Sequence, residues 1–179
     1  MTIPILLLSS LLATSQVVVS GPLTMAASTE KKILVVRIGA TDMRKYDVAV
    51  GSKKHPTPMG RFSVSHIEWN PPWNPPDAAW AKGKTAKPAG HPDNPMKVVK
   101  IFFQEPDYYI HGTDDEDSIG EAASHGCIRM TTKDAEDLAR YLMMHAGAPK
   151  DDAWFDSVIK GGKTADVRLP HAVPIAIGR

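Results

Sequence analysis

The spacing of apolar residues changes at Thr132, and this change limits the folds that the chain can adopt. Downstream of Thr132 the apolar residues recur at the three- and four-residue spacing of one helix face, at Ala135, Leu138, Ala139, Leu142 and Met143. Thr131 or Thr132 is the predicted N-cap, and Gly147 and Pro149 are predicted to end the helix. The pattern predicts one amphipathic helix, with a second short helix over residues 151–159.

Short β-rich runs occupy most of the remaining chain. Thirteen Gly and fifteen Pro punctuate the sequence, and only 7% of the residues are aromatic. Strands are predicted at 33–38, 45–50, 61–67, 96–103, 108–111, 165–169 and 173–177. A chain of 179 residues with no internal repeat suits one domain. We therefore predict a mainly β fold, built as mixed sheets or a β-sandwich.

The first part of the chain differs from the rest. Residues 3–20 are mainly apolar, and small residues follow at Ser20, Gly21, Ala26, Ala27 and Ser28. This pattern predicts an export signal over residues 1–27, followed by the folded domain over residues 31–178. No Lys or Arg precedes the apolar run, which leaves an uncleaved anchor as the alternative. We expect the domain to be exported, to the periplasm or the cell wall.

Charge and cysteine content narrow the classes of function. Lys and Arg total 21 against 20 Asp and Glu, so nothing electrostatic favours nucleic acid or an anionic membrane as a partner. Cys127 is the only cysteine, so no internal disulfide can form. A thiol retained in an exported protein needs an explanation, and catalysis supplies one.

The segment Ser124–Arg129 surrounds that thiol with the groups that thiol chemistry needs. A thiol attacks an acyl carbon as the thiolate, so it requires a base and hydrogen-bond donors for the oxyanion. Gly126 permits a tight turn that aims the backbone N–H groups of Gly126 and Cys127 at one point. His111 ends a predicted strand and is the candidate proton acceptor. The residues therefore predict a Cys–His pair.

Two other interpretations of the thiol stay open at this point. A buried, inert thiol is the most common state of a lone cysteine. A zinc site is the chemical competitor, because imidazole and thiolate are zinc ligands, and its members would be His111, His125, Cys127 and His145. The His-x-Cys spacing is not a usual structural zinc pattern, and no second cysteine supports it. We therefore predict no metal.

A long loop is predicted between two of the strands. Residues 70–95 are rich in Pro, Trp and Ala, and a loop of this length is usually a lid, a binding loop or a disordered segment. Trp69, Trp73 and Trp80 favour an ordered loop, in which they pack on one another or form a platform for a sugar. We expect this loop to cover the thiol in part.

Several segments together resemble a known family. Ile110–Thr113, Ser118–Gly120 and Ala123–Met130 are similar to the signature of the L,D-transpeptidase catalytic domain of the YkuD type. Thr57–Phe62 is similar to the TPxGxF segment of that family. The likeness extends over about residues 31–177 and so covers the whole predicted domain.

The resemblance implies a role for each residue of the motif. Cys127 takes the place of the nucleophile, His111 that of the base, and the Gly112 carbonyl would orient the His111 ring. The N–H groups of Gly126 and Cys127 would form an oxyanion hole that His125 lines. The expected substrate-binding residues are Arg129, Thr113 and Ser124. For Arg129 the alternative role is to hold the catalytic loop.

The resemblance also implies a reaction on peptidoglycan stem peptides. Cys127 would attack the carbonyl before the terminal D-alanine of a stem tetrapeptide, release D-alanine and pass the acyl group to an amine of a second stem, giving a 3→3 cross-link. No cofactor is implied, and carbapenem β-lactams are the expected inhibitors. An L,D-carboxypeptidase or amidase-like hydrolase is the alternative among enzymes. A catalytically idle wall-binding module, which keeps the groove without an activated thiol, is the alternative from another class.

Overall fold

The structure is a computed structural model that describes residues 19–179. Residues 1–18, which hold most of the predicted export signal, lie outside the described residues. The strands are β1 (Leu23–Ser28), β2 (Ile33–Ile38), β3 (Thr41–Asp47), β4 (Val50–Gly51), β5 (Gly60–Trp69), β6 (Val99–Gln104), β7 (Tyr108–Thr113), β8 (Ala122–Ser124), β9 (Ile128–Thr131) and β10 (Ala165–Gly178). The helices are α1 (Thr132–His145) and α2 (Asp152–Gly161), with short 3₁₀ turns at Ala79–Ala81 and Glu116–Ser118.

Eight strands form one mixed sheet in the order β3-β2-β1-β10-β5-β6-β7-β9. β1 pairs parallel with β10 and β7 pairs parallel with β9, whereas the other neighbours in this sheet pair antiparallel. The short strands β4 and β8 form a separate parallel pair. The predicted mainly β fold with mixed sheets is confirmed.

One face of the large sheet packs on α1 and forms the hydrophobic core. Its fully buried members include Val36, Ile67, Ile101, Ile110 and Ile128 from the sheet and Leu138, Leu142 and Met143 from α1. Burial of each such side chain contributes about 1.5–3 kcal/mol. Because side chains alternate along a strand, the neighbours of these residues point to the opposite side of the sheet, which we call the outer face.

Both predicted helices are present and begin at side-chain caps. The Thr131 hydroxyl accepts a hydrogen bond from the Asp134 N–H at 3.1 Å at the start of α1. The Asp151 carboxylate accepts one from the Trp154 N–H at 2.8 Å at the start of α2, which ends at Gly162 with φ 66°. Within residues 19–179, no helix is long and apolar enough to cross a bilayer.

The folded domain begins earlier than residue 31. β1 lies in the sheet between β2 and β10, and its side chains Met25 and Ala27 are buried in the core. The small residues that resemble a cleavage region therefore belong to a paired strand. Residues 23–28 thus complete the sheet upstream of residue 31, where the folded domain was predicted to begin.

A single strand closes the sheet where two were predicted. β10 runs for 14 residues and pairs with β5 on both sides of an irregularity between Arg168 and Val173. Pro170 lies in this irregularity, where it has no N–H to donate to a ladder. The proline therefore interrupts the pairing without ending the strand.

Candidate active site

Two parallel strands bring the predicted site residues to the outer face. In the ladder between β7 and β9, His111 pairs with Arg129, and the pair before it is fully buried in the core. Because side chains alternate, His111 and Arg129 point outward. Tyr109 and Cys127 lie two positions before them on the same two chain segments, so they share this face.

The sulfur of Cys127 lies in a partly covered position near β7. Its Sγ is 3.6 Å from the carbonyl oxygen of Asp107 and donates a hydrogen bond to it. Burial raises the pKa of the Cys127 thiol to about 11, whereas Tyr109 and the cations of Arg129 and Lys100 act in the opposite direction. At neutral pH the resting group is a protonated thiol.

The His111 ring is buried and uncharged at neutral pH. Its side chain is only 4% exposed, and its Nδ1 lies 2.7 Å from the Gly112 carbonyl oxygen, the contact that an orienting role for Gly112 requires. Burial lowers the pKa of His111 to about 4, and the cations of Arg129 and Lys100 act in the same direction. With the proton on Nδ1 donated to Gly112, Nε2 carries the lone pair that accepts a proton.

The two predicted catalytic side chains share a face without a direct bond. Among the hydrogen bonds of residues 19–179, none joins His111 to Cys127. The strand register explains this, since the ladder pairs His111 with Arg129, whereas Cys127 lies just before the first paired residue of β9, Ile128. The imidazole–sulfur hydrogen bond expected from the sequence is therefore missing from this conformation. Catalytic hydrogen bonds of this kind often tighten only when a substrate binds.

Both glycines of the motif are required by close packing. A Cβ at Gly112 would lie 3.0 Å from the Cα of Thr132, where α1 begins beside β7. Gly126 has φ 116°, and a Cβ there would lie 2.7 Å from the ring of Tyr108. A larger residue at either position would displace the segments that carry His111 and Cys127.

Ser124 and Thr113 hold the backbone and do not face a ligand. Ser124 is 1% exposed, and its Oγ accepts from the Gly126 N–H at 3.1 Å and donates to the Cys127 carbonyl. Thr113 is 4% exposed, and its Oγ1 accepts from the Asp115 N–H at 3.1 Å. Their expected substrate contact does not fit these positions. Because Ser124 occupies the Gly126 N–H, the Cys127 N–H is the remaining candidate oxyanion donor.

Arg129 links the site to the acidic loop that follows β7. Its Nη1 lies 3.5 Å from the Asp115 carboxylate, and the Arg129 side chain is 20% exposed. The neighbouring Asp114 binds Lys97 at 2.6 Å, and this hydrogen bond keeps the pKa of Asp114 below its usual range. Two of the acidic residues are thus engaged in ion pairs, and the guanidinium stays accessible from the outer face.

An aromatic stack covers His125 at the edge of the site. The rings of Trp80 and His125 lie 4.0 Å apart with an interplanar angle of 19°, and His55 lies 5.0 Å from His125. Partial burial lowers the pKa of His125, and His55, Arg129 and Lys84 add to this effect. The long loop therefore reaches the segment that carries Cys127 through Trp80.

Each of the three tryptophans in or next to the long loop, Trp69, Trp73 and Trp80, has a different partner. Trp69 is fully buried in β5 and donates to the Met143 sulfur at 3.1 Å. Trp73 is 7% exposed, and its backbone exchanges two 2.8 Å hydrogen bonds with Lys87 across the loop. Trp80 alone reaches the site. The tryptophans therefore form neither a self-packed cluster nor a shared sugar platform, and they anchor the loop at three places.

The alternative zinc site is not formed in the part of the chain that the structure describes. No group of three or more His, Cys, Asp or Glu side chains there is arranged to hold a metal ion. His145 lies at the end of α1, with its ring 4.2 Å from that of Tyr141, on the other side of the sheet. The four residues do not converge.

Tyr109 and Lys100 lie on the same face as His111 and were not predicted from the sequence motifs. Lys100 pairs with His111 in the ladder between β6 and β7, and its Nζ lies 5.3 Å from the Tyr109 ring centroid and 3.3 Å from the Glu68 carboxylate. The two-residue period of a strand points to Tyr109, because it is two positions before His111. Lys100 could be found only from the strand register.

A family model matches most of the chain. The model of the L,D-transpeptidase catalytic domain, YkuD, matches residues 18–160. The chain therefore belongs to the L,D-transpeptidase family of the YkuD type. The Bacillus subtilis protein named "Putative L,D-transpeptidase YkuD" is 31% identical over 118 residues, which cover 66% of this chain and 59% of that protein. The chain thus spans little more than half of this relative.

Solved structures share the fold. An L,D-transpeptidase from Mycobacterium smegmatis superposes with a TM-score of 0.55 at 16% identity, covering 87% of this chain and 58% of that chain. L,D-transpeptidase 3 from Mycobacterium tuberculosis in complex with a faropenem-derived adduct superposes with a TM-score of 0.54 at 17% identity, covering 88% and 60%. At these identities the likeness concerns the fold alone.

Proposed function

We propose that this protein is an exported peptidoglycan L,D-transpeptidase that uses Cys127 as its nucleophile. The observation that carries the proposal is the placement of Cys127 and His111 on one face of two adjoining parallel strands. Arg129 and Lys100 act on both groups from the same face, where their charge favours the thiolate and the neutral imidazole. These are the states that a nucleophile and a base need.

Acylation starts from the protonated Cys127 thiol and the neutral His111 imidazole. The Cys127 sulfur attacks the carbonyl carbon before the terminal D-alanine of a stem tetrapeptide, and its proton passes to Nε2 of His111. The amide C–N bond then breaks, and the same proton leaves with the D-alanine amine. The Gly112 carbonyl holds Nδ1 at 2.7 Å throughout, which favours the transient imidazolium. The product is a thioester on Cys127.

The oxyanion of each tetrahedral intermediate needs donors next to the sulfur. The backbone N–H of Cys127 serves this role, while Ser124 fixes the turn by binding the Gly126 N–H. Partly exposed Arg129 is the donor placed to hold a substrate carboxylate, because a guanidinium binds carboxylates through two parallel hydrogen bonds. His125 and Trp80 line the same side of the candidate active site.

Transfer reverses the proton path. An amine of a second stem attacks the thioester and gives its proton to His111; the C–S bond breaks, the Cys127 sulfur takes that proton from His111, and a 3→3 cross-link is left. Water in place of the amine gives a tripeptide and an L,D-carboxypeptidase reaction. The family membership and the outward-facing thiol support the transfer reaction as the principal one.

β-Lactams of the carbapenem type would acylate the same sulfur. The Mycobacterium tuberculosis structure that shares this fold carries an adduct derived from faropenem, a penem, which supports acylation by β-lactams as a class. A peptidoglycan substrate also requires a location outside the cytoplasm. We therefore propose export to the periplasm or cell wall, in line with the apolar residues 3–20.

Intact-mass measurement after incubation with a carbapenem tests the nucleophile. We expect one adduct on the wild-type protein, none on Cys127→Ala, and slower adduct formation on His111→Ala. Because the chain has a single cysteine, an adduct on Cys127→Ala would place the reaction elsewhere. A folded wild-type protein that forms no adduct would contradict the proposal.

Incubation with a disaccharide-tetrapeptide tests the acceptor. We expect a cross-linked dimer together with free D-alanine, both missing for Cys127→Ala. If tripeptide were the only product, the protein would be an L,D-carboxypeptidase and not a transpeptidase.

A further inference from the structure

Charged side chains form a row across the outer face at the level of His111. The ladders pair Glu68 with Lys100, Lys100 with His111, and His111 with Arg129, on four adjacent strands. Residues that lie directly opposite each other on neighbouring antiparallel strands point to the same face, with Cβ atoms about 4.5–5.5 Å apart. The candidate base is therefore flanked by a cation on each side, Lys100 on β6 and Arg129 on β9.

The Lys100 ammonium is fixed by contacts from three different elements. Its Nζ lies 3.3 Å from the Glu68 carboxylate on β5 and donates a hydrogen bond to the Pro72 carbonyl, at 3.0 Å, where the long loop begins. It also lies 5.3 Å from the centroid of the Tyr109 ring on β7. A lysine side chain is otherwise flexible. These contacts hold the positive charge at one position beside His111.

The surroundings make this charge effective. The side chains of Lys100 and Glu68 are only 13% and 17% exposed, whereas Asp115, the partner of Arg129, is 59% exposed. Partly buried charges are screened much less by solvent ions than exposed charges. Lys100 is one strand away from His111 and Glu68 is two strands away, so the cation is the nearer charge. The pair therefore presents positive charge to the imidazole.

Stability alone does not account for this ion pair. Two charges that leave water lose hydration, and apolar residues in place of a buried ion pair are often neutral or stabilising. The Glu68–Lys100 pair lies on the face that carries the candidate base. A fixed charge beside that base is a role that an apolar residue could not fill.

We propose that Lys100 is a positioning residue: its ammonium, fixed by Glu68 and Pro72, acts through His111 and keeps that imidazole uncharged and ready to accept the Cys127 proton. Its part in turnover rests on the proposed function. In acylation the thiol proton moves to His111, the S–C bond forms, the C–N bond breaks, and D-alanine leaves with that proton. Lys100 keeps its own protons throughout.

The lowered pKa of His111 agrees with this role. Burial is its largest cause, and the charges of Arg129 and Lys100 act in the same direction. The other titratable groups on this face near the ring are Tyr109 on the same strand, Glu68 on β5 and Cys127 in the turn before β9.

NMR titration of the His111 imidazole tests this role without any wall substrate. Lys100→Gln removes the charge and keeps N–H donors on the side chain, so a role limited to holding the Pro72 carbonyl would leave the titration unchanged. We expect the pKa of His111 to rise by about 0.5 or more in this variant. Lys100→Arg keeps the charge and should restore the wild-type pKa.

A double variant covers the carboxylate that Lys100→Gln leaves without its cation. Lys100→Gln/Glu68→Gln removes both charges, so no unpaired charge is buried. Because Lys100 is the nearer charge, the pKa of His111 should still rise, by less than in the single variant. If Lys100→Gln does not fold, the double variant decides.

Lys160→Gln is the matched control. Lys160 forms a similar pair, with Asp156 at 2.8 Å, but lies on α2, so its loss should leave the pKa of His111 unchanged. Thermal melting at neutral pH shows which variants are folded. An unchanged pKa in the folded Lys100 variants would overturn the role of Lys100. A rise confined to the single variant would also overturn it, because the unpaired Glu68 would then be the cause.

The outcomes separate this inference from the proposed function. A raised pKa of His111 in Lys100→Gln, with no carbapenem adduct on the wild type, supports the role of Lys100 and contradicts the transpeptidase. An unchanged pKa in a protein that cross-links tetrapeptide contradicts the role of Lys100 alone. A raised pKa, with the acidic limb of the pH–rate profile of carbapenem acylation moved to higher pH, supports both.

Discussion

Trp80 stacks on His125, with ring centroids 4.0 Å apart and an interplanar angle of 19°. This contact joins the long loop to the turn that carries Cys127. Burial is the largest cause of the lowered pKa of His125, and the indole provides part of that burial. We expect Trp80→Ala to raise the pKa of His125 toward its ordinary value, measured by NMR titration of the imidazole.

The same loop offers a control for this prediction. Lys82 is exposed and follows the 3₁₀ turn that carries Trp80, so Lys82→Ala keeps the stack. The pKa of His125 in Lys82→Ala should match that of the wild type. If Trp80→Ala also left it unchanged, the stack would not cover His125 in solution.

Gly126→Ala should destabilise the protein and slow Cys127 chemistry. A side chain at φ 116° is strained, and the added Cβ would meet the Tyr108 ring at 2.7 Å. Strain and clash together cost about 1–3 kcal/mol, measured by urea unfolding. Gly120→Ala is the control, because Gly120 also has positive φ, 88°, but has no atom within 4 Å of an added Cβ. A similar loss of stability in both variants would show that the clash with the Tyr108 ring is not the cause.

The local parts of the fold could be predicted from the sequence. The helical period after Thr132 and its cap predicted α1, because hydrogen bonds within one turn depend on nearby residues. The motif around Cys127 predicted a Cys127–His111 pair, and this stays a prediction, because no hydrogen bond joins the two side chains. The position of Gly112 at His111 Nδ1 follows from adjacency along the chain.

The long-range parts could not be predicted in this way. The ladder that pairs His111 with Arg129 joins segments whose register depends on the whole sheet. The same holds for Lys100, which faces His111 only through the β6–β7 pairing. The pairing of β1 could not be predicted either, because small, weakly apolar residues suit both a cleavage site and a strand packed between two neighbours.

If the protein is exported as proposed, removal of an export signal must spare β1. The strand joins β2 to β10, and its loss would leave the β2–β3 hairpin unpaired and remove Met25 and Ala27 from the core. We expect the mature N-terminus to lie at or before Leu23, as determined by intact mass of the exported protein. A protein beginning at Ser20 should unfold cooperatively, and one beginning at Thr29 should not. A stable, active protein beginning at Thr29 would contradict this.

The buried His111 makes stability depend on pH in a defined direction. Its pKa is lowered from 6.5 to about 4 in the folded protein, so below about pH 6.5 the unfolded chain binds a proton that the folded protein does not. The stabilising contribution is complete above pH 6.5 and is lost as the pH falls toward 4. At pH 5 the loss relative to pH 7 is about 2 kcal/mol.

His111→Asn removes the titration and keeps an N–H near the position of Nδ1 for the Gly112 carbonyl. Urea unfolding at both pH values should show that the free energy of unfolding falls by about 2 kcal/mol more in the wild type than in the variant. Equal losses of stability would mean that the His111 ring is accessible to protons in the folded state.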